Sequence, residues 1–446
     1  MKRYQKMTNS GIEWIGKIPE HWEISKLKYH VLKIGSGITP SGGSETYVDD
    51  GIPLIRSQNV HFDGLHLDDV VYITPEIHKE MKRTKLQIND VLLNITGASI
   101  GRCTYIPKNF GEGNVNQHVC IIRPSGKLNH IYLSFYLSSS YLQTLINSLQ
   151  VGASRQGLTI EDIGSFTVLL SSIDEQKQIS EFLVEKTKEI DSLITKRNHL
   201  IEILQEKRQV VINEATTKGF DPKTPAKNIA NKWIEKISEN WELMPLKHML
   251  ETPVTDGPHE TPEFIDEGIP FLSVDSIKDK KLDFTNTRYI SEQDHIRYSL
   301  KCKPRKYDLL LGKAASVGKI AMVDVDFEFN IWSPLALIRF KKENFPKFFY
   351  YFMQNTFFQD QIFLNVNFNT QGNIGMKDIQ NLLILSPLSI EEQKSISGYL
   401  DDFTRRIDKI IKTIEIQSKS LQEFRQAIIS ETVTGKIDVR KEAIMQ

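Results

Sequence analysis

Several things are scarce in this sequence. Its 446 residues hold three cysteines, Cys103, Cys120 and Cys302, far apart and forming no C-x-x-C pair. That spacing excludes a disulfide framework and a cysteine zinc cluster, and implies free thiols in a reducing compartment. No run of about 18 uncharged apolar residues exists, so no membrane-spanning helix is expected. The basic start at Lys2, Arg3 and Lys6 leads into no apolar segment, so a cytoplasmic protein is expected rather than a secreted one. Neither sign of charge dominates, with 56 basic against 56 acidic side chains. Nucleic-acid binders are usually basic, so the balance argues against bulk attraction to phosphate. A charged fraction of 25% beside 22 phenylalanines excludes a disordered chain.

Catalytic signatures are also missing. Gly11–Lys17 fits G-x-x-x-x-G-K, but Ile18 stands where a magnesium-binding hydroxyl belongs and Glu13 sits inside the loop. No H-E-x-x-H and no G-x-S-x-G occur, and no Pro-Pro pair offers the motif of amino-methyltransferases. Asp49-Asp50 and Asp68-Asp69 read as solvated turns, and a lone histidine such as His118 as structural. No catalytic residue, no metal site and no resident cofactor are expected on this chain.

What the sequence does contain is itself, twice. Trp14 and Trp22 return as Trp233 and Trp241, and Gly51-Ile52-Pro53 as Gly268-Ile269-Pro270. Asp90-Val91-Leu92-Leu93 returns as Asp308-Leu309-Leu310-Leu311, and Ala98-Ser99-Ile100-Gly101 as Ala315-Ser316-Val317-Gly318. Ile173-Asp174-Glu175-Gln176 returns as Ile390-Glu391-Glu392-Gln393. A nearly constant offset of about 217 residues marks a duplication. Between these anchors the copies diverge, so one scaffold carries two different surfaces.

Each copy opens with about 170 residues of short apolar runs broken by Gly, Pro, Asn and Asp. Ile52–Ile55, Asp90–Ile95 and Val119–Arg123 read as strands, and 131–149 and 345–363 as helices. Ser172-x-x-Glu175 and Ser389-x-x-Glu392 are capping boxes that start long helices. The apolar seam is read at Ile179, Leu183, Ile190, Leu193, Leu200, Leu204 and Val211, interrupted at Lys186, Arg197 and Lys207. In the second helix it is read at Ile396, Leu400, Phe403, Ile407, Ile410, Ile414, Leu421, Phe424 and Ile428, interrupted at Gln417. This 3.5-residue spacing predicts a coiled-coil pair. The expected architecture is α+β, with two globules separated by two long antiparallel coiled-coil helices and related by a pseudo-two-fold axis. The divisions expected are a globule at 1–171, a helix at 172–216, a linker at 217–230, a globule at 231–388, a helix at 389–433 and a tail at 434–446.

Polar residues at strand ends and turns are the candidate contacts. In the first copy they are Gln58, Asn59, Ser99, Arg102 and Arg155, with Lys82 and Arg83 from the basic run at 82–85. In the second they are Ser276, Ser316, Lys319 and Gln371, with Lys303 and Arg305 from the run at 301–306. Such side chains hydrogen-bond base edges and phosphates. A coiled-coil scaffold with no nucleic-acid role stays open as the alternative.

The whole pattern resembles the specificity subunit of type I restriction–modification enzymes. The resemblance rests on Ser10–Glu23, on the Glu175-Gln176 and Glu392-Gln393 pairs, and on Glu431–Asp438; Glu214–Gly219 departs from the last in its Gly-Lys order. It implies that each globule is a target-recognition domain reading one half of a bipartite target in double-stranded DNA. It implies that the helices space the halves and dock two methyltransferase subunits, with two restriction (motor) subunits completing the complex. S-adenosylmethionine, ATP and Mg²⁺ are then expected on those partners.

Overall fold

Two glutamates, one buried and one half-buried, explain why the repeat is strongest where each globule hands over to its helix. The computed structural model describes residues 2–150, 157–219, 225–229, 236–367 and 372–440. The first long helix spans Ile173–Lys218 and the second Ile390–Val433. Ser172 Oγ accepts the Glu175 N–H at 3.2 Å, and Ser389 Oγ accepts the Glu392 N–H at 3.4 Å. The glutamate carboxylates do not reach back as a capping box predicts. Glu175, 5% exposed, instead accepts from Tyr4 Oη at 2.7 Å, Trp22 Nε1 at 3.2 Å and His21 Nε2 at 2.9 Å. Glu392 accepts from Trp241 Nε1 at 2.9 Å. The neighbouring glutamines pin the same joint: Gln176 Oε1 accepts from the Asn129 N–H, and Gln393 Oε1 from the Phe345 N–H. The Trp and Glu-Gln repeats are thus one anchor, with every buried polar atom given a partner.

The chain divides into two compact units, Met1–Arg197 with Glu415–Gln446, and Asn198–Ile414. The first unit is built on a four-stranded antiparallel sheet in the order Cys103–Tyr105, Val91–Asn94, Val119–Pro124, Val31–Ser36. A three-stranded sheet beside it pairs Ile52–Ile55 parallel to Asn114–Val115 and antiparallel to Val71–Ile73. The second unit repeats both, with Ile320–Met322, Leu309–Gly312, Leu335–Ile338 and Thr255–Asp256, and with Ile269–Leu272 between Asn330–Ile331 and Arg288–Ile290. The repeated Asp90 and Asp308 lie buried beneath these sheets. Each takes a two-pronged bond from an arginine, Arg123 at 2.7 and 2.8 Å and Arg339 at 2.9 and 2.6 Å.

The helix expected at 131–149 is two helices, His130–Ser138 and Ser140–Ser148. Ser139 breaks it, extended at φ −63° and ψ 149°, with its side chain accepting from the Leu142 N–H. Asn355 does the same between Pro346–Phe352 and Thr356–Asn365. Short polar side chains compete for backbone donors, so they cap a new helix rather than continue the old one.

Neither globule closes its core with its own copy alone. The first unit buries Ile428, Ile429 and Val433 of the second helix beside Ile179, Leu183 and Ile190 of the first. The second unit buries Ile212 and Ala215 of the first helix beside Ile396 and Leu400 of the second. Within each unit the two helical stretches run antiparallel. In the first, Asp191 binds Arg425 at 2.8 and 3.1 Å. In the second, Arg208 lies 3.4 Å from Asp408.

The seam keeps its sequence reading at Ile179, Leu183, Ile190, Leu204, Ile396, Leu400, Ile407, Ile414, Leu421 and Ile428, and shifts by one residue at most of the positions between them. Burial follows Thr187, Ile190, Ile194, Arg197, Ile201, Leu204 and Arg208, and then Thr404, Ile407, Ile411, Ile414, Ser418, Leu421 and Arg425. Leu193, Leu200, Ile410 and Phe424 point outward, each 43–50% exposed. Lys186, Lys207 and Gln417 are therefore not seam interruptions. The charged seam residues are Arg197, Arg208 and Arg425; the last two stand one repeat length apart, and each of those two meets an aspartate of the facing helix. Such pairs specify register.

All three cysteines are free and buried. Burial pushes the Cys120 thiol up to about 12 and the Cys302 thiol up to about 11. Among the described residues no helix is long and apolar enough to cross a membrane.

Three outcomes follow from this packing. Val433→Ala should cost about 1–2 kcal/mol and lower hydrogen-exchange protection in the first unit while sparing 236–367. A double-mutant cycle on Asp191 and Arg425 should give a coupling of at most about 1 kcal/mol, since Asp191 is partly exposed. Lys280 is held down to about 8, first by burial and then by Arg208, against the opposing pull of Asp408. The folded chain therefore sheds that proton before the unfolded chain does. The Lys280 penalty is present in full below pH 8 and disappears as pH rises toward the ordinary lysine value. Lys280→Met should raise the melting temperature at pH 7 by about 2 °C or more, and the gain should shrink in melts above pH 8.

Candidate nucleic-acid interface

The loop that follows strand Val91–Asn94 is the natural centre of a contact surface. Its turn needs left-handed backbone at Gly97 (φ 75°) and Gly101 (φ 86°), and its counterpart at Ala315 (φ 63°) and Gly318 (φ 88°). Alanine in that region carries strain. A glutamine pins each loop from below. Gln143 Nε2 donates to Gly101 O and Leu137 O, and Gln359 Nε2 to Gly318 O and Met353 O. A Cβ at either glycine would meet that glutamine's Oε1 at 2.6 Å.

In the first unit this loop is tied to the 3-10 turn Ser57–Asn59. Asn94 Nδ2 donates to Ser57 O at 2.7 Å and to Ser99 Oγ at 3.1 Å. Gln58 is exposed and donates to Asp69. Asn59 is fully buried and its side chain is consumed by Arg56 N, His66 O and Asp69. It shapes the turn and is not free to touch a ligand, which corrects its reading as a contact. Beside the loop runs a relay of hydrogen bonds. Thr39 Oγ1 donates to Gln117 Oε1, Gln117 Nε2 to His118 Nε2 at 2.9 Å, and His118 Nδ1 to Thr96 Oγ1 at 2.6 Å. A carboxamide nitrogen only donates, so the relay points one way and leaves the Thr96 hydroxyl proton free to donate outward. His118 is a relay member rather than an isolated structural ring.

The second unit carries unlike chemistry at the same place. Asp256, fully buried, lies 2.6 Å from Lys301 Nζ, 3.2 Å from Lys313 Nζ and 3.1 Å from His259 Nε2. Burial pushes its carboxyl up, but Lys301 and Lys313 outweigh that and hold it below its ordinary value. Two ammonium groups against one carboxylate leave a surplus of positive charge there. By strand pairing, Asp256 stands where the first unit has Ser36, and Lys313 where it has Ile95. Sequence reasoning missed Asp256, Lys301, Lys313, Thr39 and Gln117. Only the strand register brings them together.

The other candidates are scattered. Lys82 and Arg83 are exposed on the 3-10 turn Lys82–Thr84, away from the relay. Arg102 is half-buried in a cleft with Asp63, Asp191 and Arg425. Lys319 is exposed in a cleft with Gln209, Lys280 and Gln354. Ser276 caps the turn Val274–Ser276 and lines a groove with Phe264, Arg288 and Trp332. Ser316 is half-buried in the pinned loop, and Lys303 is tied to Glu328. Arg305 is exposed. Arg155 and Gln371 lie outside the described residues, although Gly157 bridges Thr96 and Asn373 bridges Ala314. Among the described residues, His61, Asp63 and His66 bring metal-ligating atoms within 4.8 Å of one another.

Comparison with known proteins agrees with the duplicated fold. The family model described as the type I restriction modification DNA specificity domain matches twice, at residues 19–203 and 238–418. A putative type I restriction enzyme MjaX specificity subunit from Methanocaldococcus jannaschii is 24% identical over 437 residues, covering 96% of each chain. The type I restriction enzyme EcoKI specificity subunit of Escherichia coli is 21% identical over 441 residues, covering 95% of this chain and 90% of its own. The HsdS subunit from Thermoanaerobacter tengcongensis shares the fold at a TM-score of 0.54 and 16% identity, over 94% of this chain and 98% of that one. A chain solved in a study of assembly and conformational transition of the type I R-M system superposes at a TM-score of 0.72, with 16% identity, over 94% of this chain and 99% of its own. With both copies of the repeat matched by the same model, the chain belongs to the type I restriction–modification specificity subunit family.

Proposed function

We propose that this chain reads a bipartite, asymmetric target in double-stranded DNA, one half per globule, and assembles the subunits that act on it. One observation carries the reading: a single scaffold holds a neutral relay around Thr96 and His118 in one copy and the charged Asp256–Lys301–Lys313 cluster in the other. Direct readout needs donors and acceptors in fixed places, and two unlike sets on one frame suit two unlike half-sites. Ser99, Gln58 and Thr96 would serve the first half, and Lys301, Ser316 and Lys319 the second. Arg102 would serve the first half as a phosphate contact.

The chain contributes recognition and not a catalytic step. Two methyltransferase subunits and two restriction subunits would supply the chemistry, with S-adenosylmethionine, ATP and Mg²⁺ bound there. Exposed Leu193, Leu200, Ile203, Ile410 and Ile416 on the long helices support docking of other subunits. The balanced charge of the chain fits a reader that relies on partners for much of the phosphate contact.

Mapping methylated adenines in cells that carry this chain with its methyltransferase partner should return one two-part asymmetric motif. Lys301→Ala should relax or abolish the second half alone, at a cost of about 1–3 kcal/mol in target binding. Arg102→Ala should weaken binding across sequences and reduce the salt slope by about 1. Deleting one heptad from each long helix should change the number of unread base pairs. A coiled-coil scaffold without a nucleic-acid role would show no target-dependent, salt-sensitive binding in complex with the methyltransferase.

A further inference from the structure

The hairpin of the first globule, Val60–His61 paired with Gly64–Leu65, carries a cluster that the DNA-reading role does not use. The rings of His61 and His66 stack at a centroid distance of 4.0 Å and an angle of 14°. Asp63 Oδ1 lies 3.1 Å from His66 Nε2. The Nε2–H of His61 donates to Gln58 O at 2.8 Å. That bond fixes the tautomer and leaves the Nδ1 lone pair free, which is how metal-ligating histidines are commonly held. The backbone of His66 is pinned on both sides by Asn59, through His66 N to Asn59 O at 2.9 Å and Asn59 Nδ2 to His66 O at 3.0 Å. The backbone under the donor set is therefore fixed before any ion arrives, and the rings have to turn out of their stack to aim both lone pairs at one ion.

The second copy shows what belongs at this place. Its hairpin pairs Ile277 with Leu282 and Lys278 with Lys281. Asp283 N bonds to Ser276 O at 2.8 Å, as His66 N bonds to Asn59 O. Lys278 therefore stands at the position of His61, and Asp283 at that of His66. Lys278 Nζ and Asp283 Oδ2 meet at 2.6 Å, so a cation ties the two sides of the hairpin. The first copy has two imidazoles and a carboxylate instead, which hold no permanent cation of their own.

We propose that His61, Asp63 and His66 bind one divalent transition-metal ion of the zinc class, which ties the first hairpin as the Lys278 ammonium ties the second. Two imidazole nitrogens and one carboxylate suit zinc, nickel or copper and not magnesium or calcium. Three protein ligands leave a coordination position for water, on the side of the cleft shared with Arg102 and Asp191. The ion would order the hairpin directly beside Gln58.

The inference is independent of what the DNA target is, and its test needs no DNA. The full-length chain, free of any histidine tag and stripped with a chelator, is titrated calorimetrically with Zn²⁺, and Co²⁺ binding is followed by its visible spectrum. One equivalent should bind, with a tetrahedral Co²⁺ band and a rise in melting temperature. His66→Ala and Asp63→Asn should each weaken binding by about tenfold or more. The double variant H61K/H66D, which installs the second copy's pair, should lose the site and keep the metal-free melting temperature. Absence of stoichiometric binding to the unaltered chain overturns the proposal. So does undiminished binding to the double variant, which remains informative if His66→Ala does not fold.

Discussion

The constraint on which everything else rests is that each unit completes its core with a helix end from the other copy. Ile428, Ile429 and Val433 finish the first, and Ile212 and Ala215 the second. Apolar area has to be removed from water somewhere, and here the matching area lies about one repeat away in sequence. The antiparallel course of the helices within each unit follows from that requirement. The ion pairs Asp191–Arg425 and Arg208–Asp408 then select one register among the several that aliphatic side chains alone would tolerate. The two glutamates set the opposite boundary. Glu175 and Glu392 fix where each helix leaves its globule, and the first helix cannot slide without stranding the buried Glu175 carboxylate.

With the frame so determined, the loops are free to differ. Gln143 and Gln359 hold the two loops at equivalent glycines, and Arg123 and Arg339 hold the strands beneath them. None of these four side chains presents chemistry outward. What the loops carry changes completely between copies, from a neutral relay ending at Thr96 to a salt-bridged cluster in which Lys301 and His259 cover the buried Asp256. Supporting residues and presenting residues are thus separate sets, which is the condition for altering recognition without altering the fold.

Much of this was legible in the sequence, and the rest was hidden for identifiable reasons. The duplication, the strands and the long helices were plain because Trp22, Glu175, Asp90 and Gly101 recur in order, and each proves to hold a joint. Alternate seam positions are off by one residue because aliphatic residues stand side by side at Leu193-Ile194, Leu200-Ile201 and Ile410-Ile411. Spacing alone favours either phase, and only packing chooses between them. Asn59 looked like a contact residue because the sequence does not reveal that its amide is spent on His66 and Asp69. Lys313 and Asp256 lie far apart in the chain and meet only through strand register, so no local pattern points to them. The hairpin histidines were hidden because their H-x-D-x-x-H spacing is not that of H-E-x-x-H, and only the hairpin turn brings His61 against His66.

The division of the chain has a kinetic side as well. The second unit, Asn198–Ile414, is one continuous stretch, whereas the first joins Met1–Arg197 to Glu415–Gln446. Contacts between residues so distant in sequence are slow to form and leave apolar surface uncovered meanwhile. During synthesis the later globule can therefore be finished before the earlier one. The first globule waits with an open flank until residues 415–440 emerge, and for that interval it depends on chaperones or on a partner to stay unaggregated.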